Sequence, residues 1–278
     1  MTVERRVLLE LEGVSGFREL CSVSRDGATP PLMPHIHPDA IEICFLYRGE
    51  QDYSVGDECF HMRGLDLFMT YPNEVHGSGG APEEKSVLYW MIVDTVNRTD
   101  RFLGFEGGEA AWLAGQLNRI PCRLFRGNVR VRTLWEEMYR LYDRPHPLRT
   151  LLLRCCALQL LNEVLCCSRA AARTTTADIR TVLDFVDEHI NEWMPVGRLS
   201  EVCGLSETRF KQKFREQLGL PPGEYVMREK IRRAEALIRG GELVTTVAHR
   251  LGFSSSQYMA SVFRKYRGIS PGQIRPGR

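Results

Sequence analysis

Four residues in the first third of the chain have side chains that bind metal ions, and three of them are regularly spaced. His35 and His37 are two residues apart, so on a strand both imidazoles point to the same face. Glu42 and Gly49 follow in the pattern HxH-x4-E-x6-G, and His76 lies in TYPNEVHG, on a predicted turn that leads into another strand. Three imidazoles and one carboxylate suit a divalent transition metal such as Zn, Fe, Mn or Ni. Metal binding is therefore the first chemistry that these residue types indicate.

The segments around these residues are predicted to be β-strands. Residues 1–98 contain short stretches rich in Ile, Val, Phe, Tyr and Leu, separated by turn-forming residues at about 8–12-residue spacing. The clearest stretches are IEICFLYRG, EQDYSVGDECFHM, GLDLFMTYP and KSVLYWMIVD. Because this spacing is typical of a sandwich or barrel, the sequence predicts an all-β domain around the four residues.

Helical periodicity replaces the strand pattern after about residue 108. Helices are predicted over residues 109–118, 129–142 and 148–168, and the third, LRTLLLRCCALQLLNEVLCC, is strongly apolar. A surface helix needs only one buried stripe, so two interpretations remain open: burial against the β-domain or a subunit interface. The small, polar segment SRAAARTTTAD, residues 168–178, predicts an interdomain linker, and a helix is predicted over 178–192.

The last third of the chain contains one pattern twice. The first copy, LSEVCGLSETRFKQKFREQLGLPPGEY, covers residues 199–225, and the second, VAHRLGFSSSQYMASVFRKYRGISPGQI, covers 247–274. Each copy predicts a short helix, a turn at Gly204 or Gly252, and a longer helix, which together form a helix-turn-helix. The segment between them, PGEYVMREKIRRAEALIR at residues 222–239, predicts one connecting helix.

The second helix of a helix-turn-helix lays its outward face in the DNA major groove. Phe210 and Phe214 face inward in the first copy, and Met259 and Phe263 in the second. The side chains expected to face DNA are Ser206, Thr208, Arg209, Lys211 and Gln212 in the first copy, and Ser256, Gln257, Ala260, Ser261, Arg264 and Lys265 in the second. The second set has few long polar side chains that reach bases, so we expect the first copy to carry more of the base recognition. The second copy is expected to contact the DNA backbone through Arg264, Lys265 and Arg267.

Residues from about 180 to 278 resemble the DNA-binding domain of the AraC/XylS transcriptional regulators. The resemblance lies in LSxxRFxxxFRxxLGxPPxxY, then RRAxxLI, then VAxxLGFSSxxxMxxxFRKxxGxSPxxIR. It implies binding to double-stranded DNA, activation or less often repression of nearby genes when an effector binds, a homodimer on two half-sites, and contact with RNA polymerase.

The N-terminal residues resemble the two motifs of the cupin β-barrel, whose ligands are two His and a Glu from the first motif and a His from the second. The first motif matches in full spacing, whereas the second has Pro72 four residues before His76 and no glycine between them. The resemblance implies one site formed by His35, His37, Glu42 and His76. This site either holds a divalent metal or lines a pocket for a sugar or other small effector.

Two aromatic residues, Tyr47 and Trp90, are further candidates for effector binding, since an aromatic ring can stack on a sugar face. Both are equally consistent with the core of the β-domain. The fold class expected from these observations is an N-terminal all-β cupin-like barrel followed by helices, and a C-terminal all-α domain with two helix-turn-helix units. The boundaries are a sensor barrel over 1–107, a helical dimerisation segment over 108–168, a linker over 169–178 and the DNA-binding domain over 179–278.

Charge and composition agree with this division. The formal net charge of +2 is uneven, because residues from Thr174 onward carry 17 Lys and Arg against 12 Asp and Glu. A basic balance is expected where phosphates are contacted. No uninterrupted apolar run reaches the roughly 18 residues of a membrane span, and the N-terminus lacks a signal-peptide core. These features, with nine cysteines in no paired metal-finger spacing, predict a reducing, cytoplasmic location.

The sequence therefore predicts a cytoplasmic transcriptional regulator controlled by a small molecule, and not an enzyme. A metal-dependent cupin enzyme with an appended DNA-binding domain is one alternative, although no second set of acid or base residues points to a reaction. A regulator whose barrel binds a partner protein is another.

Overall fold

The computed structural model describes residues 2–96, 101–170 and 175–274, apart from the side chain of residue 11. The chain divides into two compact units. The first comprises Met1–Arg25 and Pro31–Arg173, and the second comprises Asp26–Pro30 and Thr174–Arg278. Each unit has its own hydrophobic core, as expected for two domains.

An antiparallel sheet forms the framework of the first unit. In the described residues its strands are β1 Val3–Leu8, β2 Phe17–Arg25, β3 Ala40–Val55, β4 Glu58–Arg63, β5 Asp66–Thr70, β6 His76–Gly77, β7 Ser86–Asp94 and β8 Leu124–Arg126. The main path runs β1-β2-β7-β3-β5-β8, while β4 and β6 pair with the end of β3. A sheet-rich first domain, predicted from the turn spacing, is confirmed.

Strand β3 is the central element of this sheet, with 16 residues in one continuous strand. Its first part pairs with β5 and β7, and its last part pairs with β4 and β6. Gly49 lies between the two parts with φ +108°, and a Cβ there would lie 2.6 Å from the carbonyl oxygen of Lys85. Only glycine fits this position, which explains the glycine at the end of the HxH-x4-E-x6-G pattern.

Alternation along β3 separates two hydrophobic clusters. Ile41, Ile43 and Phe45 are fully buried in a core shared with three helices. Those helices are α1 Gly107–Asn118, α2 Val129–Asp143 and α3 Arg149–Arg169, close to the predicted bounds. Cys44 and Leu46 point to the opposite face, where a smaller cluster forms around Phe68 and Tyr53. One face of the sheet at β3 is therefore covered by helices, and the opposite face is available to line a cavity.

Helix α3 lies in the core along one side. Leu153, Leu160 and Leu161 are fully buried, whereas Leu151 and Cys155 are exposed on the other side. Among the described helices it is the one candidate for a membrane span by length and composition, with a mean hydropathy of 1.5 and 44% of its apolar window buried. The sequence analysis excluded a membrane span because no uninterrupted apolar run is long enough, and α3 does contain polar residues. Burial along one side is typical of a helix that packs in the core of a domain.

The second unit is helical throughout its described elements. It contains α4 Ala177–Glu188, α5 Val196–Val202, α6 Glu207–Leu218, α7 Pro222–Arg239, α8 Val244–Arg250 and α9 Ser256–Arg267. The turns between α5 and α6 and between α8 and α9 contain Gly204 and Gly252, with φ +66° and +68°. Two helix-turn-helix units, predicted from the repeat, are confirmed.

Two separate cores support the two helix-turn-helix units. Phe210 and Phe214 of α6 lie in the first, with α4 and α5, and Met259 and Phe263 of α9 lie in the second, with α7 and α8. Helix α7 has the predicted bounds and contributes to both cores, through Val226 and Ile231 respectively. Of the predicted linker, residues 171–174 lie outside the described part of the chain.

Candidate metal and effector site, and the recognition helices

The four candidate metal ligands come together in the first unit. Their ligand atoms all lie within 4.8 Å of one another. The ring centroid of His35 is 4.3 Å from that of His76 and 5.1 Å from that of His37. Glu42 is on β3 and His76 begins β6, whereas both other histidines precede β3 and lie outside any strand. Strand alternation therefore does not explain why His35 and His37 lie on the same side.

A backbone bridge holds His35 next to His76. His35 and His76 form an isolated antiparallel bridge in which each backbone N–H donates to the other carbonyl, at 3.0 Å. This bridge brings the segment before β3 onto β6. His37 is thereby placed over Glu42, with His37 Nε2 3.9 Å from Glu42 Oε1. Pairing between distant parts of the chain, and not local alternation, assembles the cluster.

Backbone carbonyls fix the orientation of two imidazoles. Nδ1 of His35 lies 3.0 Å from the carbonyl oxygen of Met33, and Nδ1 of His76 lies 3.0 Å from that of Glu74. A carbonyl oxygen only accepts, so each Nδ1 carries the proton and donates it. The neutral ring then keeps the lone pair of Nε2 for another partner. This is the arrangement found for histidine ligands of metals, whose second nitrogen binds an outer-shell acceptor.

The centre of the cluster contains polar atoms without hydrogen-bond partners. His37 Nε2, His76 Nε2, Glu42 Oε2 and Thr70 Oγ1 are buried and make no hydrogen bond of normal geometry. His76 Nε2 is 3.1 Å from Glu42 Oε2, and Thr70 is the cross-strand partner of Glu42 on β5. Unpaired buried polar atoms are rare in native proteins, and their concentration at one place indicates a missing ligand.

Burial and charge act differently on two of the histidines. Burial lowers the pKa of His37, although the Glu42 carboxylate opposes this effect. Burial also acts to lower the pKa of His76, but the Glu42 carboxylate, whose Oε2 lies 3.1 Å from Nε2, and the Glu74 backbone outweigh it and raise the pKa. A single buried carboxylate thus faces several imidazoles, an arrangement that a divalent cation would stabilise.

A cavity of about 480 Å³ opens next to the cluster. It is lined by Glu4, Arg6, Arg18, Glu19, Arg25, Leu32, His35, His37, Glu42, Tyr53, Glu83, Leu88, Trp90 and Ile92. Its volume suits a small organic molecule. Trp90 lies in its wall, as expected for an effector contact, and is partly exposed.

Tyr47 does not line this cavity, so the expectation that it binds the effector is not supported by its position. It packs against the core between the sheet and the helices, and the Arg132 guanidinium lies 4.2 Å from its ring centroid. The physical reason is strand alternation, since Tyr47 is an odd number of residues from Glu42 on the same strand.

Two residues at the site were missed by the sequence analysis, Arg25 and Thr70. Arg25 ends β2, where Glu19 and Arg25 both line the cavity. The alternation within FRELCSVSR was a usable signal, but the first 25 residues carried no strand prediction precise enough to apply it. Thr70 is identified only through its pairing with Glu42, which required the sheet register.

Helix α6 presents a polar face to solvent. Thr208, Arg209, Lys211 and Gln212 are exposed, and Ser206 occupies the N-cap position. Lys211 Nζ lies 2.8 Å from Glu207 Oε2, and Gln212 Nε2 donates to Glu216 Oε1 at 2.9 Å. Both contacts are within the helix and solvent-exposed, so they cost little to exchange for a DNA contact.

Helix α9 presents the second face. Gln257, Ser261, Arg264 and Lys265 are exposed, and Ser256 and Ala260 are partly exposed. Arg267 does not share this face. Its Nε lies 2.8 Å from Glu235 Oε2 of α7, and its side chain is 20% exposed. Arg267 therefore fastens α9 to α7, and the expectation that it contacts the DNA backbone is not supported by its position.

One buried lysine connects the two helix-turn-helix units. Lys230 of α7 is 5% exposed, and its Nζ donates to the carbonyl oxygens of Glu192 and Leu251, at 2.8 and 2.6 Å. Glu192 precedes α5 of the first helix-turn-helix, and Leu251 directly follows α8 of the second helix-turn-helix. Lys230 of α7 is thus bonded to both helix-turn-helix units and fixes the distance between them.

Residues 31–161 match the family described as AraC-like ligand binding domain, and residues 199–276 match a helix-turn-helix domain family. The chain belongs to the AraC family. The first match contains the histidine–glutamate cluster, and the second contains α6 and α9. The resemblance found in the C-terminal motifs is thereby confirmed and extends to the sensor domain.

Several known proteins are similar to about a third of the chain. The probable transcriptional regulator LumQ of Photobacterium leiognathi is 32% identical over 89 residues, which is 32% of this chain and 36% of LumQ. The transcriptional activator RhaS of Escherichia coli is 31% identical over 101 residues, 36% of each chain. This AraC-family chain therefore spans about a third of the length of these relatives. A transcriptional regulator of Chromobacterium violaceum with an AraC-type DNA-binding domain is a solved structure with 21% identity and a TM-score of 0.34, covering 35% of this chain and 88% of that one.

Proposed function

We propose that this protein is a sequence-specific regulator of transcription, most simply an activator, that binds double-stranded DNA through α6 and α9. The observation that carries the proposal is the pair of exposed polar and basic faces held by one connecting helix, α7. Helix α7 is about 27 Å long, shorter than one turn of B-DNA at about 34–36 Å, and it contributes to both cores that hold α6 and α9. We place the two recognition helices in successive major grooves on one side of a duplex.

The test of this proposal is selection of binding sites from random duplexes, followed by titration of the selected site and a scrambled site at several salt concentrations. A regulator of this kind binds the selected site at least about 10³-fold more tightly than the scrambled one. Equal affinity for both would overturn the proposal. Reporter transcription with and without the selected site then gives the sign of regulation and the contribution of RNA polymerase.

The sensor cavity is proposed to hold a divalent transition metal at His35, His37, Glu42 and His76. The fit rests on two Nε2 lone pairs fixed by backbone acceptors and on four buried polar atoms without partners. Such an ion would act as a Lewis acid and would orient an effector in the cavity. Zn, Fe, Mn and Ni all suit this ligand set.

Metal content by mass spectrometry on protein purified without a histidine tag tests the metal site. We expect nearly one ion per chain, with loss of the ion in His76→Ala and retention in His249→Ala, an exposed histidine of the second unit. An empty wild-type protein after incubation with each metal would reject the site. The four residues would then be hydrogen-bonding groups of a pocket for an organic effector such as a sugar.

The effector is proposed to control DNA binding by favouring one arrangement of the protein. The protein acts in the cytoplasm and works as a homodimer, with the exposed side of α3 as the subunit contact. A metal-dependent enzyme is the rival function. It predicts metal-dependent turnover without specific DNA binding, whereas a regulator shows specific DNA binding and no turnover.

A further inference from the structure

The end of the cavity away from the histidines contains a buried arginine with an unused donor. The Arg25 side chain is 9% exposed, and its Nη2 lies 2.6 Å from Glu83 Oε1. Its Nη1 is buried and has no hydrogen-bond partner. A buried guanidinium nitrogen without an acceptor is costly, so its presence in a cavity wall points to an acceptor supplied by a ligand.

The sheet register places Arg25 and the histidine cluster at opposite ends of one surface. Arg25 pairs with Ser86 of β7, and Glu42 pairs with Ile92 of the same strand. Six residues of strand separate these two positions, or about 20 Å between Cα atoms. Leu88 and Trp90 lie between them on the same face, by alternation, and both line the cavity. Between its two polar ends the cavity therefore has an apolar and aromatic strip on β7, while Glu4 and Arg6 of β1 line the cavity at the same register.

The other two arginines of the cavity already have acceptors. Arg6 pairs with Glu19, and Arg18 binds the carbonyl oxygen of Pro38 at 2.7 Å and pairs with Asp94. Arg25 is therefore the arginine of the cavity wall that offers a buried, unused N–H group.

The charge of the lining depends on the metal. Three arginines and four glutamates line the cavity, which gives a formal charge of −1. A divalent ion on the histidine cluster changes this charge to +1. An anion of one charge complements the metal-loaded cavity and is disfavoured by the empty one.

We propose that the effector is a small organic carboxylate whose carboxylate group accepts from Arg25 Nη1 while its apolar skeleton lies along Trp90 and Leu88 toward the histidines. The charge argument rests on the proposed metal site, whereas the Arg25 contact does not. A charge-assisted hydrogen bond in a buried site distinguishes a carboxylate from its neutral amide. Arg25 is thus assigned as the specificity-determining residue of the effector site.

Calorimetric titration of zinc-loaded protein with aromatic and aliphatic monocarboxylates of six to ten carbons, each beside its primary amide, tests this proposal. We expect at least one acid to bind about tenfold or more tightly than its amide. This preference disappears in Arg25→Gln and persists in Arg18→Gln, a cavity arginine whose acceptors are internal. The double variant Arg25→Gln/Glu83→Gln leaves no unpaired buried carboxylate and must give the same loss.

Two outcomes overturn the proposal: no acid in the series binds better than its amide, or the preference survives in both Arg25 variants. The same titrations on zinc-free protein test the carboxylate proposal separately from the metal proposal. If the protein holds no metal, the acid preference is weaker but still depends on Arg25. If metal binds and the preference is absent, the carboxylate assignment fails while the metal site stands. Neither result bears on DNA binding, which is measured independently.

Discussion

At the scale of single residues, the sensor site is defined by polar atoms that the fold leaves without partners. His37, Glu42 and His76 converge, and Thr70 is the cross-strand neighbour of Glu42; each of the four has a buried side-chain atom that makes no normal hydrogen bond. Each such atom would cost about 1–3 kcal/mol if it stayed unpaired. Because such unpaired atoms are rare, several of them in one place favour a site that binds a cation and an effector.

Lys211 is the residue of α6 best suited to read a base. Its contact with Glu207 joins two side chains that are each about half exposed, so the pair stabilises the helix little and is easily replaced. We expect Lys211→Ala to weaken binding to the selected site by about 1–3 kcal/mol and to weaken scrambled DNA much less. Titration of the two duplexes at one salt concentration measures the difference. An equal loss on both would assign Lys211 to phosphate contact.

Lys265 of α9 provides the matched comparison. It is exposed and lies in the last turn of its helix, where backbone contact was expected from the sequence. Lys265→Ala should weaken both duplexes alike and reduce the slope of log affinity against log salt by about 1. A selective loss on the specific site would instead give the second helix a larger share of base recognition.

At the scale of elements, β3 and α7 each serve two structures at once. One side of β3 carries Glu42 toward the cavity, while the other carries Ile43 and Phe45 into the core under the helices. Helix α7 contributes apolar residues to the cores of both helix-turn-helix units and holds Lys230 between them.

Lys230→Met tests the role of α7 as a spacer. Methionine fills a similar apolar volume but donates no hydrogen bond, so the carbonyl oxygens of Glu192 and Leu251 lose their donor. We expect the free energy of unfolding of the C-terminal helical domain to fall by about 1–3 kcal/mol. Because the two units lose their fixed spacing, binding to a full site should fall more than binding to a half-site that engages one unit. Denaturant titration and binding to both duplexes measure these effects.

Lys213→Met is the control for this change. Lys213 Nζ binds Asp178 Oδ2 at 2.6 Å, a contact between α6 and α4 inside the first helix-turn-helix unit. Its loss should affect full sites and half-sites in the same proportion. If Lys230→Met behaves in that way too, the lysine stabilises the fold without setting the spacing.

At the scale of the whole molecule, regulation requires that the sensor unit and the DNA-binding unit influence each other. An effector shifts DNA affinity only as far as its own affinity differs between the two arrangements of the protein. An effector that changes the affinity for the selected site tenfold must therefore itself bind tenfold differently in the presence of that DNA. Reciprocal titrations check this equality.

The second prediction at this scale concerns the proposed homodimer. The exposed side of α3, the proposed subunit contact, carries Leu151, which is 54% exposed, and the exposed Cys155. A charge at position 151, in the first turn of the helix, should disfavour apolar contact there. We expect Leu151→Glu to shift sedimentation from dimer to monomer, while Thr133→Glu, an exposed position of α2, leaves it unchanged. Unaltered association in Leu151→Glu would place the interface elsewhere.

The sequence alone determined the elements whose signals are local. The double helix-turn-helix follows from helical periodicity, turn glycines and a repeated pattern, all of which lie within a few residues of each other. Helix α7 was bounded correctly at Pro222–Arg239, because proline begins it and glycine follows it. The change from strands to helices near residue 108 also follows from local periodicity, but the predicted helical segment over 108–168 contains one strand, β8, which is identified only by its pairing with β5.

Only the tertiary structure decided the composition of the sensor site. His35 meets His76 through a bridge between distant segments, Thr70 faces Glu42 across a strand pair, and Arg25 enters from the end of β2. Tyr47 is excluded by the face of the strand on which it lies. These placements depend on the pairing and register of strands far apart in the chain, which the alternation of residues within any one strand does not specify.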